Sequence, residues 1–243
     1  MKNNNNPVEK SFKYLDILTV MFVLFLVLSN IASSAKIIDW GVTLGAIPLS
    51  FDAGTLLFPI SYIVGDVLTE VYGFKRSRRV IWIGFAALVF SAIVFKLVQV
   101  LPPETSWQTQ GGQEAYNQVL GSMSSGALIV ASLTGYFAGS FSNAILMSVM
   151  KNLTRGRWLW TRTIGSTLVG EAIDTFSFIF VATALNVFPW HLFWSLTITN
   201  YIFKVLIEVS VTPLTYWLVN TLKRVEDVDI FDQEMSFTPF KFN

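Results

Sequence analysis

The chain has 243 residues, of which 53% are hydrophobic, 15% are aromatic and only 14% are charged. Soluble domains carry about 25% charged residues, so this composition excludes an ordinary soluble protein and indicates one polytopic membrane unit. A net charge of +1 gives no sign of a nucleic-acid-binding face. The absence of cysteine excludes disulfides and thiolate metal sites, and a single histidine excludes a histidine-rich metal cluster.

Six apolar segments are long enough to cross a bilayer, whose hydrocarbon core of about 30 Å requires about 20 helical residues. In chain order they are residues 15–35, 53–72, 80–101, 125–150, 163–185 and 191–220. We therefore predict an all-α integral membrane protein with six transmembrane helices. The spans form one transmembrane domain, residues 14–225, between an N-terminal tail, residues 1–13, and a C-terminal tail, residues 226–243.

Lysine and arginine predict how the chain is oriented in the membrane. They concentrate before the first span, between the second and third, between the fourth and fifth, and after the sixth, whereas residues 102–124 contain none. Because basic loops remain in the cytoplasm, we expect both termini to be cytoplasmic, which agrees with an even number of spans.

The segment between the first two spans, residues 36–51, has the pattern of a short β-hairpin. Two apolar runs flank Gly41, which suggests two strands around a glycine turn. On the predicted orientation this hairpin is extracellular, and Pro48 must lie at its edge because proline cannot donate to a strand ladder.

Charged residues inside the predicted spans point to a functional site. A charge at the bilayer centre costs roughly 2.5–3.5 kcal/mol on insertion scales and usually faces a bundle interior or a water-filled cavity. Glu171 and Asp174 are three residues apart and Lys204 and Glu208 are four apart, so the two members of each pair can point inward from one helix face. All of the charged residues lie at comparable depths in their spans. The residues are Asp66, Glu171, Asp174, Lys204 and Glu208. Glu70, nearer the membrane surface, is expected to be solvated or paired with a basic cluster.

Two interpretations of these charges remain open. Either the acids line one shared cavity, or they form structural ion pairs: Lys204 with Glu208, and the other acids with the basic segments 75–79 and 155–162. Gly135 and Gly139, spaced as G-x-x-x-G, predict close helix packing. Asn143 and Asn200 are uncharged polar groups at membrane depth that either line a site or join helices.

The second span and the loop after it carry a distinctive string, FPISYIVGDVLTEVYGFKRSRRVIWIGF, residues 58–85. This string resembles the signature of the queuosine precursor transporter family, also called the vitamin uptake transporter family. The segment GEAID, residues 170–174, and the helix that carries Lys204 and Glu208 resemble that family as well. The resemblance covers residues 14–225 and excludes both tails.

The resemblance implies a bacterial inner-membrane importer of 7-deazaguanine precursors of queuosine, such as preQ0, preQ1 or queuine. It also implies a fold like that of the substrate-binding components of energy-coupling factor vitamin transporters. The alternative is therefore the substrate-binding subunit of an ATP-driven transporter, with a separate ATPase module as partner. The expected partners are the small-molecule substrate and membrane lipids, with no nucleic acid and no cofactor, and a homo-oligomer stays open.

Recognition of such a substrate would use the buried acids. A 7-deazaguanine presents a ring N–H beside an exocyclic amine, and one carboxylate accepts both in strong charge-assisted bonds. Glu171 or Asp174 is the first choice for this edge and Asp66 the second, with Lys204 or an asparagine donating to the ring carbonyl. The candidates for stacking on the base are Phe58, Tyr62 and Phe178. No catalytic motif is visible in the chain, so no enzyme is expected.

Overall fold

The computed structural model describes residues 12–44, 47–232 and 236–241. The expected N-terminal tail thus lies almost entirely outside the described residues. The described chain forms eight α-helices, two strands and two short 3-10 turns. In chain order these are α1 (Leu15–Ala35), β1 (Ile37–Leu44), β2 (Ile47–Asp52), a 3-10 turn (Ala53–Leu56), α2 (Phe58–Tyr72), α3 (Phe74–Val100), α4 (Thr105–Gln108), α5 (Gly112–Ser124), α6 (Gly126–Leu153), α7 (Leu159–Ala184), a second 3-10 turn (Trp190–Leu192) and α8 (Phe193–Glu226).

Five helical segments are long and apolar enough to cross a membrane, one fewer than the six expected. They comprise α1, α3, α5 with α6, α7, and α8 with the 3-10 turn before it. The remaining segment, α2, has 15 residues, which makes it about 22 Å long and shorter than the bilayer core. The length and composition of the five segments identify a multi-pass membrane protein.

Helix α2 is an internal element of the bundle. It packs against α1, α3, α6 and α8, and most of its residues are buried, with Val67, Val71 and Tyr72 fully enclosed. A helix that is apolar on all sides is stable only when other helices surround it. Its polar residues Asp66 and Glu70 are therefore placed inside protein.

Strands β1 and β2 pair antiparallel from Ile37 opposite Asp52 to Leu44 opposite Ile47. The expectation that the chain turns at Gly41 was wrong, because β1 continues through Gly41 to Leu44. Residues 45 and 46, between the strands, lie outside the described part. Gly41 lies within β1, where the register is irregular between Asp39 and Thr43. Its φ of +66° is the left-handed conformation that glycine supplies at a bulge.

The G-x-x-x-G motif on α6 brings that helix into close contact with α7, as predicted. A Cβ added at Gly139 would lie 2.5 Å from the Cβ of Asp174 and 3.0 Å from the carbonyl oxygen of Gly170. A Cβ added at Gly170 would lie 2.7 Å from the Cβ of Asn143. The glycines therefore fix the backbone positions of Asp174 and Asn143 across the helix interface.

We expect Gly139→Ala to destabilise the bundle by about 1–3 kcal/mol, the usual cost of forcing an extra methyl group into a packed interface. Unfolding of the purified protein in mixed detergent micelles measures this loss. Gly126→Ala is the matched control, because a Cβ at Gly126 meets nothing within 4 Å and should change stability by less than about 0.5 kcal/mol. Equal stability of the two variants would contradict the packing role.

The segment after α8 folds back over the ends of α3 and α6. The Asp232 carboxylate accepts hydrogen bonds from the Phe74 backbone N–H, at 2.9 Å, and from the Ser148 hydroxyl, at 2.7 Å. Further along, Arg78 donates to the carbonyl of Thr238 at 3.0 Å. The described part of the expected C-terminal tail is thus bound to the helices by specific contacts.

Candidate functional site

The buried charges form two separate groups, and the first surrounds Glu70. The Glu70 side chain is fully buried and accepts two hydrogen bonds from Arg162, at 2.7 and 2.8 Å. Lys223 donates to it at 2.5 Å, and the Lys151 ammonium lies 3.6 Å away. Of the two outcomes expected for Glu70, solvation was wrong and pairing with the basic segment 155–162 is confirmed.

Asp229, just beyond α8, completes this Glu70 cluster. Its carboxylate lies 2.7 Å from the Lys151 ammonium and 2.8 Å from that of Lys223. Burial raises the pKa of the Asp229 carboxyl, but the hydrogen bonds from the two lysines outweigh burial and hold that pKa below its ordinary value. The Glu70 cluster thus joins α2, α6, α7, α8 and the C-terminal segment by ion pairs.

The second group, the central acidic cluster, consists of Asp66, Glu171, Asp174, Lys204 and Glu208. In it the Lys204 ammonium lies 2.6 Å from the Asp174 carboxylate and 3.2 Å from that of Glu171. The two acids are one helical turn apart on α7, so both reach the same ammonium from α8. The expected pairing of Lys204 with Glu208 is replaced by this bridge between helices.

The two other carboxylates of the central acidic cluster are held by neutral donors. Asp66 accepts a hydrogen bond from the Asn143 amide at 2.8 Å, and Glu208 accepts one from the Thr167 hydroxyl at 2.8 Å. Both side chains are buried, and they interact electrostatically with each other. Within the described part of the chain, neither carboxylate has a lysine or arginine at ion-pair distance.

A small internal cavity of about 30 Å³ lies beside the central acidic cluster. That volume accommodates water but is far too small for a bicyclic base. Of the expected site residues, it is lined by Phe58, Tyr62, Asn143 and Asp174. The Asn143 side-chain oxygen is buried and has no hydrogen-bond partner in the described structure, so the wall of the cavity contains a free acceptor.

The remaining expected site residues do not line the cavity, and two of these, Asn200 and Phe178, have local contacts of their own. The Asn200 amide donates to the carbonyl of Leu196 on its own helix, at 3.0 Å. Phe178 packs edge-on against Phe188, with ring centroids 6.3 Å apart, and does not line the cavity.

Sequence reasoning missed the hydroxyl groups of the site. Ser61, Tyr136 and Ser140 line the cavity, and Thr167 holds Glu208. Hydroxyl residues are common in transmembrane helices, so they do not interrupt the apolar pattern as a charge does. The one available signal was helical spacing, since Ser61 is four residues before Gly65 and Ser140 is three before Asn143.

The bundle and its buried charges define a class of protein: a multi-pass membrane protein with a polar site enclosed between its helices. Comparison with known families then makes the class specific. The model of the family described as "Putative vitamin uptake transporter" matches residues 52–218, more than half of the chain. The chain belongs to this family of transporters, and it is not an enzyme.

Curated relatives are similar to the chain over most of its length. It is 27% identical to the "Probable queuosine precursor transporter" of Bacillus subtilis, covering 69% of this chain and 71% of that protein. It is also 27% identical to the "Queuosine precursor transporter" of Escherichia coli, covering 72% and 76%. The Haemophilus influenzae relative is 25% identical over 68% and 67% of the two chains. No solved structure matches the chain.

Proposed function

We propose that this protein imports 7-deazaguanine precursors of queuosine across a bacterial inner membrane and that Glu171 and Lys204 read the guanine-like edge. The observation that carries the proposal is the 3.2 Å approach of the Lys204 ammonium to the Glu171 carboxylate. It places a hydrogen-bond donor beside a pair of acceptors in a buried site.

That arrangement is complementary to guanine. The edge of the base presents a carbonyl acceptor, a ring N–H and an exocyclic amine in a row. An ammonium only donates and a carboxylate only accepts, so Lys204 would bind the carbonyl while Glu171 accepts both N–H groups in bidentate, charge-assisted fashion. Adenine presents a different order of donors and acceptors and would leave buried groups unpaired, which is the main source of specificity in such sites.

The neighbouring side chains support this assignment. Asp174, at 2.6 Å from Lys204, would keep the ammonium in place when Glu171 turns to the ligand. The Lys204 ammonium lies 4.9 Å from the centroid of the Phe58 ring, so Phe58 borders the same space and is our choice for stacking on the base. Tyr62, which also lines the cavity, interacts electrostatically with Glu171 and Asp174.

In this proposal the small cavity corresponds to a closed conformation of the site. A base can enter only if helices move apart, as alternating access requires. We propose that α2 and the preceding 3-10 turn, residues 53–72, together cross the membrane as a sixth span. Both termini would then be cytoplasmic, the strands β1 and β2 would lie on the outer side, and residues 14–225 would form the transport domain. The fold would be that of energy-coupling factor substrate-binding components.

The test is uptake by the purified protein in liposomes that contain no ATP. We expect saturable uptake of labelled preQ1 that unlabelled preQ0 or queuine competes away and adenine does not. Tight binding without uptake would instead favour the alternative, a binding subunit that needs an ATPase module. Absence of both binding and uptake, with the protein shown to be folded, would overturn the proposed function.

A further inference from the structure

The central acidic cluster contains more carboxyl groups than its own cation can compensate. Four carboxyl groups and one ammonium are linked there by ion pairs and electrostatic interactions, and all four acidic side chains are at least nine-tenths buried. The residues are Asp66, Glu171, Asp174, Glu208 and Lys204. Buried carboxylates are costly unless they are paired with a cation or neutralised.

The carboxyl groups without a cationic partner in the described structure are those of Asp66 and Glu208. Lys204 is engaged by Glu171 and Asp174. Among the described residues, the side-chain donors to Asp66 and Glu208 are the neutral groups of Asn143 and Thr167. The groups that act on Glu208 electrostatically include Asp66 and Glu171, which repel its charge, and Lys204, which attracts it. Asp66 is repelled in addition by Glu70, which is itself neutralised by Arg162.

A second observation points to a ligand that donates hydrogen bonds. The Asn143 side chain donates its amide N–H to Asp66, and its oxygen is buried and has no hydrogen-bond partner among the described residues. Asn143 also lines the cavity. Asp66 and Glu208 do not line the cavity in this conformation, but Asp66 is bonded to Asn143 and interacts electrostatically with Glu208. The two carboxylates and the Asn143 oxygen make three acceptors, which is the number that an ammonium group with three N–H donors requires.

We propose that Asp66, Glu208 and the Asn143 oxygen bind a protonated amine of the substrate, so that the protein selects 7-deazaguanines with a cationic aminomethyl substituent over those with a neutral one. This inference rests on the proposed function and adds the second recognition element of the same site. An alkyl amine is protonated at neutral pH as the lysine side chain is, which makes preQ1 and queuine cations. The nitrile of preQ0 is neutral and would leave both carboxylates uncompensated.

The test is equilibrium binding of preQ1 and preQ0 to the purified full-length protein in detergent at neutral pH. We expect preQ1 to bind at least about tenfold more tightly, equivalent to about 1.4 kcal/mol. Asp66→Asn and Glu208→Gln should each lower the affinity for preQ1 far more than the affinity for preQ0, because each removes one negative charge at nearly constant shape. Glu114→Gln, on the exposed face of α5, is the control for loss of an acid elsewhere.

The outcomes separate this inference from the proposed function. Equal affinities for preQ1 and preQ0 in the wild-type protein, or tighter binding of preQ0, would overturn the inference while the import of 7-deazaguanines stands. A preference for preQ1 that survives both substitutions would overturn the assignment to Asp66 and Glu208. Failure to bind either compound would overturn the proposed function itself. The wild-type comparison alone decides the preference if a variant does not fold.

Discussion

Replacement of Glu171 by glutamine is expected to abolish uptake of queuosine precursors while the protein still inserts and folds. Glutamine has nearly the same shape, but it replaces one of two acceptor oxygens by an N–H donor that would face the donors of the base. Loss of one partner in a buried charged hydrogen bond costs about 2–5 kcal/mol of binding. The lower value already corresponds to roughly a 30-fold loss of affinity. The queuosine content of tRNA measures uptake in a strain that depends on this protein and on external precursor.

Folding of the Glu171→Gln variant should survive because Lys204 keeps its closer partner, Asp174, at 2.6 Å. Glu114→Gln, in the exposed part of α5, should leave tRNA queuosine content normal. Normal queuosine in cells that carry Glu171→Gln would refute the role of this carboxylate. A low protein level in the membrane would show that Glu171 is a structural partner of Lys204.

Replacement of Glu70 by alanine is expected to cause the largest loss of stability, about 3–5 kcal/mol, the usual cost of removing one partner of a buried ion pair. Glu70 is fully buried, and it compensates Arg162, which is 1% exposed, and Lys151, which is 2% exposed. Without Glu70, Lys151 would keep Asp229 as its one acidic partner among the described residues, and that side chain is 47% exposed. Arg162 would keep only neutral acceptors among them, including the carbonyls of Arg157 and Gly156. Unfolding in mixed detergent micelles measures the change in free energy.

The double variant Glu70→Ala with Arg162→Ala tests whether the loss of stability arises from the ion pair between Glu70 and Arg162. Because one substitution already breaks the contact, the double variant should lose clearly less than the sum of the two single losses. Glu114→Ala, at an exposed position, should change stability by less than about 0.5 kcal/mol. Strict additivity of the Glu70 and Arg162 effects would show that each residue stabilises the bundle independently.

Sequence patterns predicted the features that depend on local composition. The apolar segments at α1, α3, α6, α7 and α8 were found because hydropathy accumulates along a helix irrespective of its neighbours. The glycine spacing on α6 likewise predicted close packing, since only small residues permit it. The predicted acids inside the spans are buried, because a charged group in an apolar span is stable only inside the bundle.

The same patterns failed where an outcome depends on which helix faces meet. Lys204 and Glu208 are four residues apart on α8, a spacing that favours an ion pair, yet Lys204 contacts two acids on α7. The position of Glu70 near the end of α2 favours contact with solvent, yet Lys223 of α8 and Arg162 of α7 enclose its carboxylate. A glycine between two apolar runs favours a turn, but the strand pairing places Gly41 at a bulge.

By itself, the sequence determined that this protein is embedded in a membrane, which segments are helical, and that a few charged residues must be buried among the helices. Those conclusions follow from the free energy of transferring each side chain from water to the membrane, which does not depend on tertiary contacts. Only the tertiary structure decided how the buried charges are partnered: Glu70 is neutralised by cations from three other helices, whereas Asp66 and Glu208 are left with neutral donors. Partnering depends on distances of a few ångströms between helices, and the close packing at Gly139 and Gly170 helps to set those distances.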